Sequence, residues 1–146
     1  MTTFISNDGG RAGHFSGTAD DCVTRAIAIA TETPYLEVRN DLRTLAGKFM
    51  PAGRFLTTAM PRRGVSKKIY KPYLEDKLGW IWTPTMGIGT GCQVHLRPDE
   101  LPTGRLVVRL SRHLTAVIDG IVHDTHDPSR DGTRCVYGYW TSTGLR

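Results

Sequence analysis

The chain has 146 residues, 39% of them hydrophobic and 23% charged. That is one ordinary domain, with enough apolar surface to bury a core and too much to stay disordered. The net charge of +5 is concentrated between Arg43 and Lys77, where nine Lys or Arg stand against only Glu75 and Asp76. No stretch has the length and apolarity of a membrane span, and the first twenty residues lack the basic start and apolar centre of a signal peptide. Three cysteines, at 22, 92 and 135, are too few and too irregular for a disulfide framework. The expectation is a single domain over residues 1–146, in the cytoplasm, with free thiols, no membrane contact, no cofactor and no metal.

Residues 1–17 read as an irregular arm, because Asn7-Asp8-Gly9-Gly10 is turn chemistry and Gly13 and Gly17 keep the backbone permissive. Thr18 with Asp21 three residues on has the spacing of a helix cap. The helix it opens, about Asp21 to Ala30, carries Val23, Ala26, Ile27 and Ala30 as its apolar stripe. Thr33-Pro34 announces a second helix to about Lys48, with Tyr35, Val38, Leu42, Leu45 and Phe49 at spacings of three and four. Residues 50–65 form a basic connection punctuated by Pro and Gly. Ser66 caps a third helix running to Leu78, in which Pro72 predicts a break or two short helices, and Gly79 stops it.

From there the pattern turns to strands. Trp80 to Thr83 is aromatic and β-branched, residues 84–92 form a glycine-rich loop, and Pro98 to Leu101 is one helical turn. Strands are expected at Leu106 to Leu110, Leu114 to Ile118, Ile121 to Thr125 and Cys135 to Trp140. Asp119-Gly120 signals a two-residue hairpin turn, since a type I′ turn needs positive φ at both central residues. Helices first and strands second make this an α+β chain: an N-terminal helical half packed on a C-terminal antiparallel sheet.

Cys22 falls in the first turn of its helix, where unpaired amide groups and the positive end of the helix dipole favour a thiolate. His113 opens a strand, where its ring can project into a cleft. A type I′ turn at Asp119-Gly120 pairs His113 with His126 and Thr115 with Asp124, and alternation puts all four on one face. Asp124 is then a diagonal neighbour able to accept the ring's second N–H and fix its tautomer. A three-residue turn would bring Asp127 there instead; Asp124 ranks ahead of Asp127. A cysteine, a base and a group that orients the base are the parts of a nucleophilic thiol site.

This order resembles the papain-like cysteine peptidases: a helical half opening on a nucleophilic cysteine, then strands bearing a histidine and an acid. Asp21-Cys22 leading into an Ala-rich helix resembles the papain-like cell-wall endopeptidases. His113 to Gly120, with Asp127-Pro128 following, resembles both those enzymes and the bacteriocin-leader peptidases. Thr115 to Asp127 is also similar to small papain-like proteins encoded by phages and bacterial mobile elements. The resemblance implies a papain-like fold and a thiol hydrolase cleaving a peptide, amide or isopeptide bond in a peptide or protein substrate. Cys22, His113 and Asp124 would be its catalytic residues. Such enzymes often place a glutamine six residues before the cysteine to complete the oxyanion hole. Here Ser16 stands at that position, so the second donor must come from elsewhere in residues 7–20, with Asn7 among the candidates.

Other uses of these residues carry less. His123, His126, Asp127 and Cys135 lack the paired spacing of a zinc site. Gly87 to Gly91 lacks the lysine of a phosphate loop. Cys92 and Cys135 are expected as free, half-buried thiols, and Trp80, Trp82 and Trp140 as core or cleft wall. The rival function is a catalytically silent papain-like binding module, whose basic 43–77 segment meets nucleic acid or an acidic host protein.

Overall fold

The computed structural model describes residues 3–10, 22–49, 66–87 and 89–142. The expected caps Thr18 and Asp21, the 50–65 connection and Ser16 lie outside the described residues. Helix α1 runs Cys22–Thr31, and every residue from Val23 to Ala30 is buried, so it is wrapped on all sides instead of presenting one stripe. Its small alanines let neighbouring elements come close. Glu32, with φ 57°, turns the chain out of it. Helix α2, Tyr35–Phe49, buries Tyr35, Val38, Leu42 and Ala46 at spacings of three and four. Ser66 caps α3, Lys67–Pro72, by accepting from the Lys68 N–H at 3.2 Å. At Pro72 the run divides into two short helical pieces, one of the two expected outcomes, without leaving the helical course. The helix widens there into a π-helical turn, Tyr73–Lys77, closed by the Leu78 N–H donating to the Tyr73 carbonyl at 3.0 Å. Widening keeps the chain helical around a residue that lacks an N–H.

The strands are β1 Thr3–Ser6, β2 Ile81–Pro84, β3 Arg105–Leu110, β4 His113–Ile118, β5 Ile121–Asp124 and β6 Gly138–Thr141. They form one sheet in the order β1-β5-β4-β3-β6-β2. The chain is thus α+β with a mixed six-stranded sheet, which corrects the antiparallel expectation: β1 pairs with β5 in parallel, Thr3 against Ile121 through Ser6 against Asp124. It also corrects the irregular arm over 1–17, because Thr3-Phe4-Ile5-Ser6 is a strand. Four residues are too few to declare a period, and the partner lies at the other end of the chain. The turn signal after it holds, with the Gly9 N–H on Asn7 Oδ1 and the Gly10 N–H on Asp8 Oδ1, both at 2.9 Å. Asp119 and Gly120, at φ 50° and 81°, make the expected two-residue hairpin, with Ile118 opposite Ile121.

Helices cover one face of the sheet. There Ile27, Val38, Leu42 and Leu74 meet Val107, Leu114, Ala116 and Trp140. On the other face Leu96 and Leu101 close over Leu106, Val108, Leu110, Val117, Val122 and Val136. Truncating a fully buried leucine such as Leu42 to alanine would cost ~2–5 kcal/mol, since cores collapse only partly around a void. The three tryptophans fall as expected: Trp140 is fully buried and Trp82 packs on it at 4.4 Å between ring centroids. Cys92 and Cys135 do not stay free thiols; they are joined as a disulfide, with their Cα atoms 5.7 Å apart. The cause is the single bridge between His95 and Cys135, which draws the glycine-rich loop against the chain entering β6. Among the described residues no helix is long and apolar enough to cross a membrane.

Candidate functional site

Cys22, half-buried and the one free thiol, is the first residue of α1. Its first-turn N–H groups have no acceptor within the helix. The end of the sheet supplies the remaining groups. The paired register of β4 and β5 runs from Ile118 against Ile121 to Ala116 against His123. Beyond that last pair the α1 N-terminus meets His113, Leu114 and Asp124. His113 hydrogen-bonds to the Cys22 sulfur, and the Leu114 backbone N–H donates to the same atom. The ring's Nε2 lies 2.7 Å from Asp124 Oδ2, which leaves Nδ1 for the sulfur.

The acid is held firmly. Thr115 Oγ1 donates to Asp124 Oδ2 at 2.7 Å, and the Thr125 N–H to Oδ1 at 2.7 Å. Arg25, one turn after Cys22 on α1, brings its Nη2 to 3.9 Å from Asp124 Oδ1. The three residues named from the sequence therefore come together, and Asp124 rather than Asp127 meets the ring. Asp127 caps its own loop, accepting from the Ser129 N–H at 3.0 Å. The His126 ring lies 5.4 Å from that of His113, as the hairpin register requires. Asn7, a candidate oxyanion donor, is spent elsewhere: its Oδ1 serves Gly9, and its Nδ2 lies 3.3 Å from His123 Nδ1.

The charges in this cluster support one another. Burial pushes the Cys22 thiol up, but the His113 hydrogen bond and charge, the Leu114 N–H and the Arg25 charge outweigh it, so the group sits below an ordinary thiol. Burial also opposes a charged His113 ring. The hydrogen bonds and charges of Asp124 and Cys22 overcome that and raise it to about 9. Asp124 is lowered despite burial, through the His113 and Thr115 hydrogen bonds, the ring's charge and the Thr125 N–H. All three directions describe a thiolate–imidazolium pair backed by an ionised acid.

Four participants lie beyond the three residues named from the sequence, in three cases. The Leu114 amide belongs to the backbone and has no sequence signal. Arg25 did have one: it is the sole charge in a ten-residue helix that is otherwise Ala, Ile, Val, Thr and Cys, and a buried charge needs a partner. Tyr70 and Arg109 are the third case, a hydrogen-bonded pair on the helix-covered side, close enough to Cys22 for its charge to act on Tyr70. The basic segment is only partly described. Lys71 pairs with Glu75, Lys77 lies 3.3 Å from Asp41, and Lys67 and Lys68 are exposed; Arg54, Arg62 and Arg63 lie outside the described residues. Among the described residues no His, Cys, Asp and Glu side chains cluster as a metal site.

Fold and site together define an α+β chain with a cysteine, a histidine and an aspartate in hydrogen-bonded series. No family model, no curated protein and no solved structure matches it.

Proposed function

We propose that the chain is a papain-like thiol hydrolase cleaving a peptide, amide or isopeptide bond. The observation that carries this reading is the hydrogen-bonded series from Cys22 through His113 to Asp124, begun at a helix N-terminus. In the proposed reaction the Cys22 thiolate attacks the carbonyl carbon, and the first-turn N–H groups of α1 steady the oxyanion. The C–N bond breaks as His113 gives its proton to the leaving amine. His113 then takes a proton from water, whose oxygen attacks the thioester. The carboxylate leaves and the thiolate–imidazolium pair is restored. Asp124 keeps the ring oriented with Nδ1 toward sulfur.

The proposal extends to a peptide or protein substrate, a bacterial cytoplasmic setting and a phage or mobile-element origin. A cytoplasm would hold Cys92 and Cys135 reduced, so a count of free thiols in protein isolated without reductant tests that setting. The binding-module alternative draws no specific support, because two of the four lysines described at the C-terminal end of its segment are already paired with carboxylates.

Iodoacetamide alkylation of the native protein tests the site. Cys22 should react at pH 6 faster than the same cysteine in the unfolded chain, by about tenfold for each unit by which the thiol is lowered, since each unit gives tenfold more thiolate. His113→Ala should remove that advantage. A native Cys22 no faster than the unfolded one rules the hydrolase out.

A further inference from the structure

One cation near Cys22 has no part in the series just described. Arg109 lies directly opposite Leu114 in the β3–β4 ladder, and Leu114 is the residue whose N–H reaches the sulfur. Strand alternation turns Arg109 to the same side as Val107, Leu114 and Trp140, the side covered by the helices. There Tyr70, buried on α3 with its ring edge-on to Trp140 at 5.8 Å, accepts a hydrogen bond from the Arg109 guanidinium. A second tyrosine, Tyr137, stacks on the guanidinium at 5.6 Å from its ring centroid. Among the described residues no carboxylate pairs with Arg109, whereas Arg25, Arg97 and Arg105 each lie beside one.

A half-buried guanidinium fixed between two tyrosines keeps donors to spare. Its planar fork matches the two oxygens of a carboxylate. A tyrosine on each side restricts its rotamers, so less entropy is lost when an anion binds. Tyr70, which the guanidinium bonds, also lies within range of the Cys22 charge, so an anion held there would lie on a molecule whose carbonyl can reach Cys22.

We propose that Arg109, positioned by Tyr70 and Tyr137, binds a carboxylate of the substrate whose bond Cys22 attacks. This rests on the hydrolase reading above and narrows it to acyl substrates with a carboxylate near the scissile bond. That carboxylate is either the free C-terminus of a short peptide or the side chain of Asp or Glu.

Two small alkylating agents of nearly equal size test this on the whole protein: iodoacetate, which carries the carboxylate, and iodoacetamide, which does not. The ratio of their rates at Cys22 cancels any change in the thiol's own reactivity. Arg109→Gln should lower the iodoacetate-to-iodoacetamide ratio about tenfold, the scale of one charge-assisted contact. Arg109→Lys should lower it by less, because a point charge remains without the fork. Arg97→Gln, which removes the same unit of net charge elsewhere, should leave the ratio unchanged. A ratio insensitive to Arg109, or one that falls equally in Arg97→Gln, overturns the proposal. A thiol with no excess reactivity toward either agent overturns the hydrolase reading instead.

Protection of the wild-type thiol from iodoacetamide identifies the source of the carboxylate and needs no variant to fold. Acetyl-alanine offers a terminal carboxylate, and acetyl-aspartate α-amide offers only the side-chain one. Stronger protection by either names that source, equal protection means the site reads the carboxylate alone, and protection by neither counts against the proposal.

Discussion

Asp124 satisfies its two carboxylate oxygens with four hydrogen bonds, the longest at 3.5 Å from Thr125 Oγ1, and one nearby guanidinium, and this sets how far its removal is felt. His113 Nε2 and Thr115 Oγ1 share Oδ2, while the Thr125 N–H and, at longer range, Arg25 face Oδ1. Asp124→Asn keeps the shape and removes the charge that helps hold the ring as imidazolium. The thiol should then titrate closer to an ordinary cysteine, with alkylation of Cys22 at pH 6 slowed about tenfold for each unit regained. The pH–rate profile of iodoacetamide alkylation measures this directly. Thr115→Val leaves the charge and withdraws one donor. It should cost about 1–2 kcal/mol of stability, read by denaturant unfolding, because the carboxylate loses a buried hydrogen bond. A smaller displacement of the alkylation profile, in the same direction, should accompany it. Arg25 acts from the other side. Sitting one turn after Cys22, it ties the helix bearing the sulfur to the strand bearing the acid.

At the level of elements, the outer sheet edge depends on a glycine. Gly138 in β6 sits opposite Pro84 of β2, and a Cβ there would fall inside the Trp82 indole and 2.8 Å from the Thr83 carbonyl oxygen. Gly138→Ala should therefore displace Trp82 from Trp140, at a cost of ~1–3 kcal/mol for an overpacked site. Loss of near-ultraviolet circular dichroism from the stacked indoles and a lowered unfolding midpoint would report it. Sequence signals caught the elements that announce themselves locally. The Ser66 cap, the α2 stripe and the Asp119-Gly120 turn each depend on neighbours within a few residues. The turn mattered most, since one register placed His113, Thr115 and Asp124 on one face. What escaped depends on distant partners. Strand β1 is four residues long and pairs with residues 121–124. The Cys92–Cys135 link needs the bridge at His95, and nothing near either cysteine signals it. Arg109 becomes conspicuous only once the ladder sets it against Leu114.

For the molecule as a whole, the charge cluster joins the helical layer to the sheet, so its protonation bears on global stability. Asp124 is lowered in the folded chain, so its contribution is present above the unfolded carboxylate value near 3.8 and is lost as pH falls through the folded one. His113 is raised to about 9, so its contribution is complete below the unfolded value near 6.5 and is lost as pH rises through about 9. Cys22 modifies that second statement. Between the folded thiol value, which lies below that of an ordinary cysteine, and about 9, the unfolded chain keeps the thiol proton and loses the ring proton, while the folded pair keeps the ring proton and loses the thiol proton. Both states then bind the same number of protons at these two groups, and the pair contributes no slope there. Cys22→Ser removes the thiol but leaves Asp124 beside the ring, so His113 retains part of its upward shift without a compensating proton loss. Denaturant unfolding up to pH 9 should therefore give a contribution from this pair that levels off above the folded thiol value in the wild-type chain. The stability of Cys22→Ser should go on falling where the wild-type contribution levels off, so the two curves separate between the folded thiol value and about pH 9. Parallel curves for the two proteins across that range would mean that Cys22 and His113 do not share a proton in the folded chain. The acid side gives a separate check through Asp124→Asn, whose deficit against the wild type should be constant between about pH 5 and pH 6, below the titration of the ring, and should shrink as the pH is taken below 3.8.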